Sequence, residues 1–469
     1  MLKLVRPILQ SPVRLLYASW GFVFICYILF PVKFNEAWST KTILFIFGFF
    51  FLFTLGYLLG KQFIVDLYNS SSRPKAHSFQ ERPIVRFRQE KLTANQNFYL
   101  NRISFKLNRF VITIALFGLI GSCLLAGDFL FLRGIDYSRG LSAAREVMQQ
   151  TVIDRGGIPA GRPLSIVGRI LAGFCPVAVL VSVLRLEYLR SRTLFFVIVS
   201  LVFQIFTDVL SGGRNSIFMT LLLLISGMIV RMNRRRLVLS AKKKIFRKVK
   251  KWLPVLAVSF VVYALFIFIE REGLRGRTLV EAYENMETAW RLSFLFDIRA
   301  FGDGESILHK TTLAFTYLGL YIIHSLNEIN LLISQTPHLF PIYGLHSFYL
   351  PALLANRIGI ISSEILLNAS NSIERSGVYF TALGSLYVDF GYWFSFIVFL
   401  ALGFITGISW KLFRLGHGLC SELICAYLLL AIVISPFYLS VTTGNGFQIL
   451  SALAVSALIV SKLRLDIIL

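Results

Sequence analysis

Residues 211–214 read Ser-Gly-Gly-Arg, set directly between two apolar runs. Glycines at 212 and 213 let backbone N–H groups come close to a ligand, and the planar fork of Arg214 matches phosphate oxygens two at a time. If a helix begins near Asn215, its unpaired N–H groups and the positive end of its dipole favour the same kind of anion. Ser211, Gly212, Gly213 and Arg214 therefore form a candidate anion-binding turn, with Asp208 one turn earlier placed to orient the arginine. A Gly-Gly pair is also what a tight corner between two helices uses, and the sequence leaves both readings open.

A second group of cations opens the segment 271–379. Arg271, Arg275, Arg277 and Arg291, followed by Arg299, would suit a diphosphate or would serve as an interfacial charge belt. Four of the six histidines (His309, His324, His338 and His346) fall in the same segment. A group that takes a proton from an attacking hydroxyl near neutral pH is expected to be an imidazole or a carboxylate. His338, Glu374 and Asp389 are the candidates for that catalytic role, with Glu364 a rival; Asp389, beside Phe390-Gly391, could equally cap a helix start. Asp303 and Glu305 have the spacing of a divalent-metal pair, but so do many acidic pairs, and no metal site is assigned.

The elements that must position these residues are membrane helices. Of the residues, 56% are hydrophobic and 14% aromatic, and mean hydropathy is +0.70. Several runs approach the ~20 residues needed to cross a bilayer, which excludes a soluble domain. Net charge is +24, but the cations sit in the loops between apolar runs, where they record orientation, so nucleic acid is not an expected partner. Cys26, Cys123, Cys175, Cys420 and Cys425 lie in or beside apolar runs without C-x-x-C spacing, which argues against a disulfide framework or a zinc site. The first apolar run has no small-residue cleavage site and is read as an uncleaved span.

Spans are expected near 15–32, 42–60, 110–131, 166–184, 193–210, 215–230, 252–270, 388–410, 420–440 and 447–461. With a cytoplasmic N-terminus, ten spans place both termini inside, and 31 of the 48 Lys and Arg residues then fall in inside segments. The other 17 cations are 14 arginines and only Lys33, Lys41 and Lys310. Topology accepts either residue, so a bias toward arginine on the outer side points to a phosphorylated ligand there, or to composition and snorkelling. Residues 271–379 form one large extracytoplasmic loop, too long to lack helices of its own. Within it, the apolar stretch 312–333 is interrupted by His324, Asn327, Glu328 and Asn330, and is expected to be a re-entrant or interfacial helix packed on the bundle. The chain thus reads as one integral membrane domain over 1–469: seven helices in 1–270, the loop, and three helices in 380–469.

Three stretches carry a resemblance: "SGGRNSIFMTLLLLI", "LNEINLLISQTPHLFPIYGLHSFYLPAL" and "RSGVYFTALGSLYVDFGYWFSFIVFLALGFITG". Together they resemble the bacterial oligosaccharide repeat-unit polymerases of the Wzy type, which build O-antigen, capsule and exopolysaccharide. The Y-x-D-F-G run from Tyr387 to Gly391 is the best local match. The apolar runs give about ten transmembrane helices, or twelve if 312–333 and another partial run also span, and the resemblance implies that this all-α polytopic fold is GT-C-like. It implies a metal-independent glycosyltransferase without a cofactor, in the bacterial inner (cytoplasmic) membrane and active on its periplasmic face. Undecaprenyl diphosphate-linked oligosaccharide would be both donor and acceptor, with a flippase and a chain-length regulator as further partners. Arg214 matches the family's arginine after the glycine turn and would bind diphosphate; Asp389 matches the family's aspartate. An O-antigen ligase of the same fold class, or a flippase of lipid-linked oligosaccharide, are the alternative readings.

Overall fold

The computed structural model describes residues 7–71, 94–133, 135, 137–140, 147, 163–211, 215–234, 255, 258, 259, 261–263, 265, 279–295, 307–335, 342–371 and 380–463. In chain order the helices are α1 (Pro12–Leu29), α2 (Thr40–Ser71), α3 (Ala94–Gly127), α4 (Pro163–Ala172), α5 (Phe174–Leu184), α6 (Ser191–Leu210) and α7 (Asn215–Asn233). They continue with α8 (Leu279–Trp290), α9 (Ile307–Gln335), α10 (Tyr349–Arg357), α11 (Ser363–Asn371), α12 (Ala382–Leu415), α13 (Gly418–Ile434) and α14 (Gly444–Lys462). The short strands β1 (Val32–Phe34) and β2 (Leu292–Phe294) pair antiparallel, with Lys33 opposite Ser293, and tie the segment after α8 to the corner between α1 and α2.

Among the described residues, eight helices are long and apolar enough to cross a membrane. One of them, Leu164–Leu184, is the α4–α5 pair, broken at Gly173, where an added Cβ would lie 2.6 Å from the Gln448 carbonyl oxygen of α14. The span expected near 420–440 is the shorter apolar helix α13, and the one expected near 252–270 lies largely outside the described residues. The loop 271–379 carries helices α8 to α11, as its length requires.

Helix limits follow local chemistry. Pro12 opens α1 at a position where its missing N–H costs nothing. Thr381 caps α12, its hydroxyl accepting from Gly384 N at 3.2 Å, and Gly416 closes that helix in the left-handed region at φ 85°. Inside α12, Gly391 at φ 69° and ψ −175° breaks the helical ladder, so Ala382–Phe390 forms a separate segment ahead of the long one. A β-carbon is strained at such a φ, which fixes the glycine of the Y-x-D-F-G run.

The most extensive helix pair is α2 with α12. Gly56 and Gly60 of α2 face Gly403 and Gly407 of α12. A Cβ added at any of the four would sit 2.1–2.2 Å from a backbone carbonyl of the other helix. Each pair is four residues apart, so the small positions line one face and the backbones touch. Around this seam, Phe45, Phe49, Phe399 and Trp20 fill the core.

One end of the bundle, here called the base, holds Leu9, Asn233, Arg414 and the start of α13. Asn233 Nδ2 donates to Leu9 O, and Arg414 Nη1 donates to Asn233 O. A buried ion-pair network sits at the same end. Arg185 pairs with Glu422, Arg231 with Glu187 at 2.8 Å, and Arg234 bridges to Glu187 at 3.6 Å and Glu422 at 3.5 Å. The opposite end, where α1 finishes and α2, α7, α12 and α14 begin, is the mouth.

Substitution tests the seam. Gly403→Ala places a Cβ 2.1 Å from Phe53 O and is expected to destabilise the purified protein by about 1–3 kcal/mol. Gly21→Ala meets nothing within 4 Å in mid-helix and is expected to be neutral or stabilising by about 0.5–1 kcal/mol. Thermal unfolding of the two variants side by side reads the difference, and equal behaviour refutes the close-approach account.

Candidate functional site

Helix α9 carries a run of buried polar residues at the mouth, His324, Ser325, Asn327, Glu328 and Asn330. It is one uninterrupted helix of 29 residues, so the re-entrant alternative is set aside. A hairpin within it would have exposed backbone groups that the continuous ladder satisfies. Its neighbours all lie at the mouth. Gly319 faces Phe30 at the end of α1, Asn330 bonds Ala37 O and Ser39 N ahead of α2, and Leu332 reaches Gly384 near the start of α12. Residues 319–332 rise about 20 Å along the axis yet stay at one end of the bundle, so α9 lies across the mouth.

His324, Asn327 and Glu328 are spaced three and four apart, on one face of α9, and each is at most 2% exposed. His324 Nδ1 lies 3.0 Å from Leu320 O. A carbonyl only accepts, so Nδ1 carries the proton in the neutral ring and Nε2 is the basic nitrogen. Trp290 packs edge-on to the same imidazole, 4.4 Å between centroids. Asn327 is 1% exposed, and neither its amide oxygen nor its amide nitrogen has a partner among the described residues. A buried amide left so costs about 1–3 kcal/mol, and a polar ligand that met both atoms would recover it.

The connector 435–438 after α13 draws the other elements to this face. Ser325 Oγ donates to Pro436 O at 2.7 Å, and Tyr438 Oη donates to Asn215 Oδ1 at 2.6 Å. Ala382 N donates to Ser435 O at 2.8 Å, and Trp20 Nε1 to Ser435 Oγ at 2.8 Å. The start of α7, the start of α12 and the polar middle of α9 therefore meet on four consecutive residues.

The residues singled out by sequence fall out as follows. Ser211 ends α6, its hydroxyl donating to Asp208 O at 2.8 Å, so that side chain caps a helix. Asp208 Oδ2 is buried without a hydrogen-bond partner among the described residues, a few positions from Arg214. Gly212, Gly213, Arg214, Arg271, Arg275, Arg277, His338 and Glu374 lie outside the described residues, as do Arg299, Asp303 and Glu305. Arg291 follows α8 at φ 50°, with its carbonyl accepting from Asn35 N at 3.0 Å. Its neighbour Trp290 is the ring against His324, which brings Arg291 to the α9 side of the mouth.

Asp389, which the sequence leaves open between a proton acceptor and a packing or capping group, makes structural contacts. It is fully buried at the end of the first α12 segment. One carboxylate oxygen accepts from His346 N at 2.9 Å and the other from Ser347 N at 2.8 Å, while Tyr343 N donates to Asp389 O. Both oxygens are occupied by a loop more than 40 residues earlier, so Asp389 clamps residues 343–347 onto α12. In the sequence His324 stands out as one of the four histidines of the loop, whereas Asn327 and Glu328 are legible only as interruptions of an apolar run; the three-and-four spacing of the trio is the signal that unites them.

A separate arginine site lies at the far end of α3. Arg133 Nε bonds Asp128 Oδ2 at 2.7 Å, its Nη2 reaches Ser165 Oγ at 3.3 Å, and its guanidinium covers the Phe129 ring at 4.8 Å. Its charge is already matched by Asp128.

No family model, characterised protein or solved structure matches this chain.

Two outcomes test the clamp. Asp389→Asn keeps one acceptor oxygen and turns an amide N–H₂ toward the other backbone donor. Hydrogen exchange at His346 and Ser347 is expected to show protection lowered by about 1–3 kcal/mol; unchanged protection would remove the clamp. Burial holds the His346 imidazole below its ordinary value of 6.5, and the Asp389 charge opposes that shift. The undocked loop therefore takes up a proton more readily than the docked one, so docking strengthens as pH rises toward 6.5 and weakens on acidification below it. His346→Asn is expected to flatten that pH dependence.

Proposed function

We propose that this chain is a membrane glycosyltransferase that joins lipid-linked oligosaccharide units at the mouth of its helical bundle. The donor glycan would leave its polyprenyl diphosphate and pass to the non-reducing sugar of the next lipid-linked unit. The observation that carries the reading is the face of α9 holding His324, Asn327 and Glu328, buried at the mouth, with the Asn327 amide unmatched. An acceptor sugar offers hydroxyls that both donate and accept, which is what such an amide needs.

The chemistry asks for two roles. A base takes the proton of the attacking hydroxyl as the new bond forms at the anomeric carbon, and Glu328 or His324 Nε2 would fill it. As the old C–O bond breaks, its electron pair leaves with the diphosphate, and cations must meet that growing charge. Arg214, one residue before the Asn215–Tyr438 contact in the sequence, is assigned to the diphosphate, with Arg271, Arg275, Arg277 and Arg291 as further candidate cations. The resemblance of the "SGGRNSIFMTLLLLI" and "YVDFG" stretches to the repeat-unit polymerases supports the same assignment. The clamp at Asp389 makes that residue a positioning group for the loop 343–347.

The reading is tested by glycan profiles of cells expressing variants at wild-type level. Arg214→Ala is expected to leave surface glycan of one repeat unit. Glu328→Gln is expected to slow polymerisation by about 10²–10⁴-fold if Glu328 is the base. Wild-type chain length in Arg214→Ala would sink the diphosphate role. Purified protein in EDTA should keep its activity, whereas complete loss that added metal reverses would overturn the metal-independent reaction. Liposomes in which the protein moves lipid-linked sugar across the bilayer without lengthening it would point to a flippase instead.

A further inference from the structure

At the base, between the start of α1, the middle of α2 and the end of α12, lies a cleft of about 650 Å³. Four cations line it, Arg14, Lys61, Lys411 and Arg414, and no carboxylate does. Lys61 lies about 28 Å along α2 from Thr42, so the cleft is at the opposite end from the α9 site and stands apart from the function proposed above.

Four positive groups around one space repel each other unless a counter-ion sits among them. The protein supplies none among the described residues. Arg14 Nη1 donates to Pro7 O at 3.3 Å, Arg414 Nη1 to Asn233 O at 3.2 Å, and the Lys61 ammonium lies 5.6 Å from the Tyr57 ring centroid. These contacts use neutral acceptors and leave the charge unmatched. Glu187 and Glu422 at this end are committed to Arg185, Arg231 and Arg234, and among the described residues no ion pair joins Asp66, which accepts from Gln62 Nε2 at 2.8 Å, to a cation of the cleft. Ser11 and Tyr57 add hydroxyl groups to the wall. Several cations with neighbouring hydroxyls make a recognition set for phosphate oxygens.

The rim says where such a phosphate comes from. Leu58 lines the cleft and is 54% exposed, with Leu55 and Tyr17 exposed on the same side of α1 and α2. In a bilayer those groups face hydrocarbon. A ligand with a phosphate head and an acyl chain satisfies both halves at once, and basic pockets between helices at a membrane boundary suit anionic headgroups.

We propose that this cleft binds the phosphate group of an anionic lipid, with the acyl chain running along Leu58 and Leu55. The bound phosphate links α1, α2 and α12 at the base and supplies the charge that the protein lacks there.

The test uses the purified full chain in nanodiscs, with thermal unfolding and native mass spectrometry as readouts. Phosphatidylglycerol is compared with phosphatidylcholine, and inorganic phosphate is added as a second probe. Phosphatidylglycerol is expected to raise the unfolding temperature and to remain bound. The double variant Arg14→Gln/Lys411→Gln is expected to weaken that binding by about ten- to thirtyfold. Arg14→Lys/Lys411→Arg, which keeps the charges, should retain it and so separates lost binding from a damaged fold. A variant-sensitive shift with either probe supports a phosphate site, and the probe that produces it names lipid or soluble ion as the source. Equal responses of wild type and the double glutamine variant to both probes would overturn the proposal.

Discussion

Contact between the backbones of α2 and α12 is the constraint on which the rest of the arrangement depends. Hydrocarbon gives two membrane helices no hydrophobic reason to associate, so close packing and loss of lipid contacts must hold them. Gly56, Gly60, Gly403 and Gly407 remove the side chains that would keep the axes apart, and carbonyl oxygens occupy the positions where Cβ atoms would stand. Because the two helices run parallel from a shared end, with Phe53 by Gly403 and Tyr57 by Gly407, the start of α2 and the start of α12 are both fixed at the mouth. Asn330 of α9 caps the approach to α2, and Leu332 rests by Gly384 of α12, so the crossing helix is registered on that same pair.

The break at Gly391 exploits that fixed frame. A continuous α12 would present Asp389 along a helix surface; the break instead ends a short buried segment there and aims the carboxylate at His346 N and Ser347 N. A buried carboxylate is tolerated because two backbone donors meet it, and the loop is held because those donors would otherwise go unmatched. The Y-x-D-F-G run is thus a structural unit: the aspartate docks a loop, and the glycine supplies the bend that places the aspartate.

Much of the fold is legible in the sequence because hydropathy is a local property. Eight of the ten expected spans follow from runs of side-chain type, and the polar interruptions at 324, 327, 328 and 330 already argue against a simple span for α9. Pairings are not local. The spacing of Gly56 with Gly60 and of Gly403 with Gly407 can be seen in the sequence, but nothing there says that they face one another. Arg185, Arg231 and Arg234 count as topology signals in a loop tally, whereas Arg185 finds its partner at Glu422, 237 residues away. The role of Asp389 stays open in the sequence for the same reason, since a motif gives its type and neighbours but not the loop that occupies its oxygens. The candidate site is only partly legible: the turn at 211–214 is marked by composition, while the face of α9 acquires its meaning from burial.

The two ends of the bundle hold different kinds of buried polar group. At the base, Glu187 and Glu422 are shared among three arginines, a network that fixes the relative positions of α5, α7 and α13. At the mouth, the Asn327 amide and Asp208 Oδ2 are buried without hydrogen-bond partners among the described residues. A folded chain keeps such groups only where rigid neighbours hold them or where a ligand completes them. The neighbours are rigid here, since Ser325, Asn215, Ala382 and Trp20 all bond to 435–438, and a rigid frame around unmatched polar groups is the condition for preorganised binding. The close packing of the glycine seam offsets what those groups cost, so the seam serves the mouth by holding its elements in register.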